Sequence, residues 1–252
     1  MKQFKSYVIC TSPRSGSTLL CTLLSESGNA GLPDSHFHEP SLEKWLDYCG
    51  LRRETFRTRK GALEAVFKSV FVHGKGQTDV FGLRLQRQSF KFFVQQLSVL
   101  FPSLADDKSR IEAAFGETLF IHLTRQDKLD QAISFVKASQ SGLWHKAPDG
   151  TELERLSEPK EPFYDQDAIA AQLDRFVRMD AEWEAWFAEE NIEPFHVTYD
   201  ALASSPYGTL TRVLHELGLK LEAVRERAPP VARLADATNR DWADRFRCEP
   251  RT

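Results

Sequence analysis

Residues 6–24 read Ser6-Tyr-Val-Ile-Cys-Thr-Ser-Pro-Arg-Ser-Gly-Ser-Thr-Leu-Leu-Cys-Thr-Leu-Leu24. An apolar strand ending at Cys10 or Thr11 runs into a tight polar loop, Ser12 to Gly16. A helix then opens at Ser17 or Thr18, with Leu19, Leu20, Leu23 and Leu24 on its apolar face. A strand, a small-residue loop and a helix start aim free backbone N–H groups and the positive helix end at one point, which is a cradle for an anion. Pro13 bends the loop, Gly16 permits close backbone approach, and Arg14 adds a full charge. Ser15, Ser17 and Thr18 supply hydroxyl donors. The segment therefore predicts a site for a phosphate or sulfate ester.

It is not a nucleoside-triphosphate loop of the form G-x-x-x-x-G-K-[ST]. Aligning Gly16 with the second glycine puts Thr11 at the first and Ser17 at the lysine. A chain without that lysine lacks the side chain that reaches the β- and γ-phosphates. This argues against a nucleotide-dependent kinase, the competing enzyme reading.

Working outward, three more segments read as buried strands: Asp79–Leu85, Thr118–Thr124 and Pro194–Tyr199. Helical spacing covers Ser17–Glu26, Gly61–His73, Gln88–Leu100, Lys128–Ser141 and Gln166–Glu189. Strands alternating with helices predict an α/β, three-layer fold of P-loop type, with a mainly parallel central sheet and helices on both faces. Ligands of such sheets bind beyond the carboxyl ends of the strands. At 252 residues the chain suits one domain over 1–252. The proline-rich stretch 147–164 reads as a mobile loop, and 225–252 as a C-terminal closing segment.

Composition narrows the function. A net charge of -3 gives no broad basic surface for nucleic acid. No apolar run approaches the ~18 residues of a membrane span. Cys10, Cys21, Cys49 and Cys248 form no C-x-x-C pair, so neither a zinc site nor a redox dithiol is suggested and a reducing cytoplasm is the expected compartment.

A second anion site follows the third strand. Arg125 comes off its carboxyl end, Asp127 is a natural N-cap, and Ser134 returns two turns later to the same helix face. Arg125 with Ser134 suits a phosphate monoester. A plainer reading pairs Arg125 with Asp127 or Asp130. Two strand-end cradles fit a nucleoside carrying phosphates at both ends.

Here the chain resembles sulfotransferases that use 3′-phosphoadenosine 5′-phosphosulfate, more narrowly the bacterial trehalose 2-sulfotransferase family. The resemblance rests on S-P-R-S-G-S-T at 12–18, G-L-P at 31–33 and R-x-D…Q-A-x-S-F at 125–135. It continues through W-x-A-W-F-x-E-E-N-I-E-P at 183–194, Tyr199, and R-x-A-D…W-x-x-R-F at 233–246. It implies that Arg14, Ser15, Gly16, Ser17 and Thr18 hold the 5′-phosphosulfate. Arg125 and Ser134 would hold the 3′-phosphate, and Arg233 would close over the nucleotide. It also implies a small-molecule or glycolipid acceptor, no required metal, and a homodimer. The family's base is a glutamate after G-x-P; here that position is Ser35. The neighbouring Asp34, His36, His38 and Glu39 make His36 the first candidate for general base and Glu39 the second, with Arg14 stabilising the leaving phosphate. Arg84 is a candidate contact to the acceptor or sulfuryl group. A non-catalytic nucleotide-binding homologue, suggested by Ser35, is the third reading.

Overall fold

The computed structural model describes residues 4–220 and 236–249. Its central sheet has four parallel strands: β1 (Ser6–Thr11), β2 (Phe81–Gln86), β3 (Thr118–Thr124) and β6 (Phe195–Thr198). Their order is β2-β1-β3-β6. β1 is flanked by a strand that follows it on each side, so the chain's path across the sheet reverses at β1. That reversal opens a crevice at the carboxyl ends of β1 and β3.

Every residue of β1 is buried. Val8 and Cys10 face a core that includes α2 (Leu42–Tyr48), α3 (Arg59–Lys75), α4 (Arg87–Leu100), α5 (Asp107–Phe115) and the end of α7 (Gln166–Glu189). Tyr7 and Ile9 face the opposite core, built by α1 (Ser17–Glu26), α8 (Tyr199–Ser204) and α9 (Pro206–Glu216). A strand buried on both faces needs this unbroken apolar run, and β1 supplies it. A third cluster joins α6 (Lys128–Ser141) and α7 to α10 (Ala237–Cys248) through Ile133, Phe176, Trp242 and Phe246. The three-layer α/β fold is thus as expected, and the bounds of α6 and α7 match the sequence reading residue for residue.

Local chemistry sets the ends. Asp127 caps α6 by accepting from the Asp130 amide at 2.8 Å, and Gly142, in the left-handed region at φ 74°, terminates it. Asp165 caps α7 in the same way, accepting from the Ala168 amide. The last predicted strand is shorter than expected. Tyr199 leaves it to open α8, because the Thr198 hydroxyl caps that helix. The stretch 147–164 is not simply a loop. β4 (Leu143–Lys146) and β5 (Glu152–Arg155) pair antiparallel across a turn at Asp149-Gly150. All four cysteines are free, with Cys10 and Cys21 buried. Among the described residues no helix is long and apolar enough to cross a membrane.

Gly31 directs the chain into the 34–39 segment at φ 74°, where an added Cβ would be driven into the carbonyl oxygens of Val80 and Gly74. At Gly28, also left-handed, an added Cβ meets nothing. Gly28→Ala is therefore expected to cost only the ~1–2 kcal/mol of the left-handed backbone. Gly31→Ala should cost that plus the ~1–3 kcal/mol of overpacking. Urea denaturation of both variants checks the difference; equal midpoints would contradict it.

Candidate active site

The 12–18 loop is braced from several sides. The Thr11 hydroxyl donates to the Leu123 carbonyl at 2.8 Å and meets the Ser15 hydroxyl at 2.6 Å. Trp183 Nε1 donates to the Thr11 carbonyl at 3.0 Å. From α6, buried Gln131 donates through Nε2 to Ser12 Oγ at 3.0 Å and to the Pro13 carbonyl at 2.7 Å. Arg14 (φ 63°) and Gly16 (φ 86°) both take left-handed backbone, which turns the strand into the helix. Gly16 is the N-cap of α1 and brings no side-chain oxygen to the first turn. The amides of that turn are left for a ligand. Gly16 is also held by contact: a Cβ there would lie 2.8 Å from the Tyr199 ring.

Arg14, Gly16, Ser17, Thr18, Arg125 and Ser134 all line one cavity of about 700 Å³. Ser15 lies behind the wall, buried against Thr11. The two cradles are not separate, as the sequence spacing suggested. Arg14 Nε donates to Ser134 Oγ at 3.1 Å, and its Nη1 donates to the Trp144 carbonyl at 2.6 Å. Arg125 sits beneath, only 4% exposed. It pairs with Asp130, donates to the Arg14 carbonyl at 3.2 Å and stacks 4.3 Å from the centre of the Tyr199 ring. The plainer pairing with Asp130 therefore occurs, on a guanidinium that still reaches the cavity wall. Burial, with Arg125 adding repulsion, brings the Arg14 pKa down to about 10, so Arg14 is cationic at neutral pH.

Across the cavity, Arg84 leaves β2. It donates to Ser35 Oγ at 2.7 Å, Thr18 Oγ1 at 2.9 Å and Asp34 Oδ1 at 3.2 Å. One guanidinium thus ties Asp34 and Ser35, just after G-L-P, to Thr18 of the 12–18 loop.

The 36–39 segment corrects an expectation. His36 is 2% exposed and is not on the cavity wall. Its ring packs among Tyr48, His73 and Phe81, and Nδ1 meets the Tyr48 hydroxyl at 2.9 Å. Tyr48 does line the cavity, so His36 touches it only through that hydroxyl. Burial brings His36 down to about 4. Glu39 is exposed and off the wall, and its carbonyl accepts from Trp45 Nε1 at 2.5 Å. Phe37 packs into the aromatic core against Trp45 and Phe67, and of the candidates in this segment it is His38, exposed, that lines the cavity.

His145, on β4, does face the cavity. Its Nε2 lies 3.1 Å from Thr18 Oγ1 and 3.3 Å from Glu154 Oε2 on β5. Burial, then Arg14 and Arg84, lower its pKa to about 4 and keep the ring neutral. Sequence reasoning missed it because its position depends on a hairpin without an apolar pattern. Arg233 lies outside the described residues.

His36 and His145, both depressed to about 4 in the folded state, carry a stability signature. The unfolded chain takes up their protons first, so stability is expected to fall as pH drops from about 6.5 to about 4. Each site contributes a slope of up to ~1.4 kcal/mol per pH unit. His36→Gln should flatten the curve in that window. Identical slopes for wild type and variant in urea titrations would contradict the burial argument.

A family model described as Stf0 sulphotransferase matches residues 6–249. The chain is 27% identical over 265 residues to a trehalose 2-sulfotransferase of Mycobacterium tuberculosis, covering 97% of this chain and 95% of that protein. It is 28% identical over 260 residues to a trehalose 2-sulfotransferase of Mycolicibacterium smegmatis, covering 96% and 94%. Among solved structures, the sulfotransferase domain of the Synechococcus PCC 7002 olefin synthase aligns with a TM-score of 0.47 at 16% identity, over 99% of this chain and 90% of that one. By its sequence over nearly its whole length, the chain belongs to the Stf0 sulphotransferase family.

Proposed function

We propose that the protein transfers a sulfuryl group from 3′-phosphoadenosine 5′-phosphosulfate to a hydroxyl of a carbohydrate or glycolipid-type acceptor. The observation that carries this reading is the convergence of an uncapped helix start, Arg14, Arg125 and Ser134 on one cavity. The relatives named for trehalose sulfation favour a carbohydrate acceptor. Leu156, 69% exposed at the rim, gives the opening an apolar lip suited to a lipid-linked sugar.

In this reading the amides of residues 16–18 and the Ser17 and Thr18 hydroxyls hold the 5′-phosphosulfate. Arg125 and Ser134 hold the 3′-phosphate. Arg14 lies between them and meets the charge that grows on the leaving phosphate as the S–O bond breaks. Transfer runs in line, by positioning and charge stabilisation, as in phosphoryl transfer. The acceptor proton goes to His145. Its ring is neutral, it faces the cavity and it touches the donor loop, whereas His36 acts only by orienting Tyr48. The negative donor offsets the repulsion from Arg14 and Arg84. The acidic limb of kcat should therefore lie above that of kcat/KM, which reports the free enzyme.

Calorimetry tests the donor class. The reading expects 3′-phosphoadenosine 5′-phosphate to bind more tightly than ATP, and the reverse order would favour a kinase. The single domain over 1–252 and the homodimer belong to the same proposal. Sedimentation giving only a 28.8 kDa species at micromolar concentration would count against the dimer.

A further inference from the structure

Away from the cavity, three side chains with metal-binding atoms converge on the outer edge of the sheet. His122 of β3 and His196 of β6 are register partners on adjacent parallel strands, with ring centres 5.6 Å apart. Glu184 reaches down from α7 and places Oε1 2.8 Å from His122 Nδ1. One ligand atom from each of the three lies within 4.8 Å of the others.

His122 is 1% exposed, its Nδ1 lies against the Glu184 carboxylate at 2.8 Å, and its Nε2 has no hydrogen-bond partner. A buried ring nitrogen without a partner is rare. With Glu184 and His196 beside it, the ring completes a set of donors that a cation would use. Phe187 packs on the ring at 5.2 Å and closes its inner side. His196 and Glu184 are exposed, which leaves an entry path and room for water.

We propose that His122, His196 and Glu184 form a binding site for one divalent transition-metal ion of the zinc class, with water completing a tetrahedron. Two imidazoles and one carboxylate are a recognised zinc donor set, with bonds of about 2.0–2.2 Å. Two of the three side chains, His196 and Glu184, are exposed. The ion would fasten the edge strand β6 to α7. β6 runs directly into Tyr199, the ring stacked on Arg125, so the site would stiffen one wall of the cavity. It takes no part in the transfer reaction.

The test uses the full chain after chelator treatment, titrated with Co²⁺ and Zn²⁺ and read by visible absorption, calorimetry and thermal unfolding. The proposal expects one equivalent bound, a tetrahedral Co²⁺ spectrum displaced by Zn²⁺, and a higher Tm with Zn²⁺. His196→Ala and Glu184→Gln change exposed side chains, keep the fold testable, and should each weaken binding at least about tenfold, the scale set by losing a metal-site contact. His215→Ala should change nothing. Absence of stoichiometric binding at micromolar metal would overturn the site. So would unchanged affinity in His196→Ala, which would place the metal on other histidines.

Discussion

His145→Gln is expected to reduce turnover of the proposed sulfuryl transfer about 10²–10⁴-fold, the usual scale for loss of a general base. Affinity for the desulfated nucleotide should stay close to wild type, because the amides, Arg125 and Ser134 are untouched. The split matters: a residue acting in the transition state lowers kcat, whereas one that merely holds the loop raises the donor KM. Arg84→Gln supplies an independent check. It removes a cation that holds His145 down, so the acidic limb of kcat/KM should move to higher pH. His36→Gln should be milder, acting through Tyr48, and Glu39→Gln should be near neutral. A fully active His145→Gln enzyme beside a dead His36→Gln enzyme would return the proton to the Tyr48–His36 path.

Arg125→Ala is expected to cost roughly 1.5–3 kcal/mol in binding of 3′-phosphoadenosine 5′-phosphate, the range for a hydrogen bond to a charged group. That corresponds to about 10–150-fold in Kd. Affinity for adenosine 5′-phosphate, which lacks the 3′-phosphate, should change far less. The variant also strands Asp130 and uncovers Tyr199, so Arg125→Lys serves as the control that keeps the charge. Lysine loses the fork that matches a phosphate and should recover only part of the affinity. Equal losses for both nucleotides would mean that Arg125 supports the loop and does not read the 3′-phosphate.

Much of the fold was legible because its signals are local. β1 reads as an unbroken apolar run because it is buried on both faces, and α6 and α7 declare themselves by Asp caps and apolar spacing. The tight turn at Gly16 between β1 and α1 was legible for the same reason, because Gly16 and small residues mark a strand turning into a helix. What failed depended on distance. Arg14 and Ser134, 120 residues apart, looked like parts of two cradles, and only folding brings them to 3.1 Å. His36 looked ideal by composition, yet burying Phe37 in the aromatic core seals His36 behind Tyr48. His145 and Glu154 sit on a short polar hairpin whose pairing no periodicity announces. The His122–His196 pair was hidden similarly, since only the register of β3 against β6 makes the two neighbours.

The most direct measurement is transfer of labelled sulfur from 3′-phosphoadenosine 5′-phosphosulfate into carbohydrate acceptors by the purified protein, with a protein-free reaction as the blank. The account predicts a labelled O-sulfate product formed in step with release of 3′-phosphoadenosine 5′-phosphate. Tight nucleotide binding with no labelled product above the blank would contradict it and leave a nucleotide-binding protein without transferase activity.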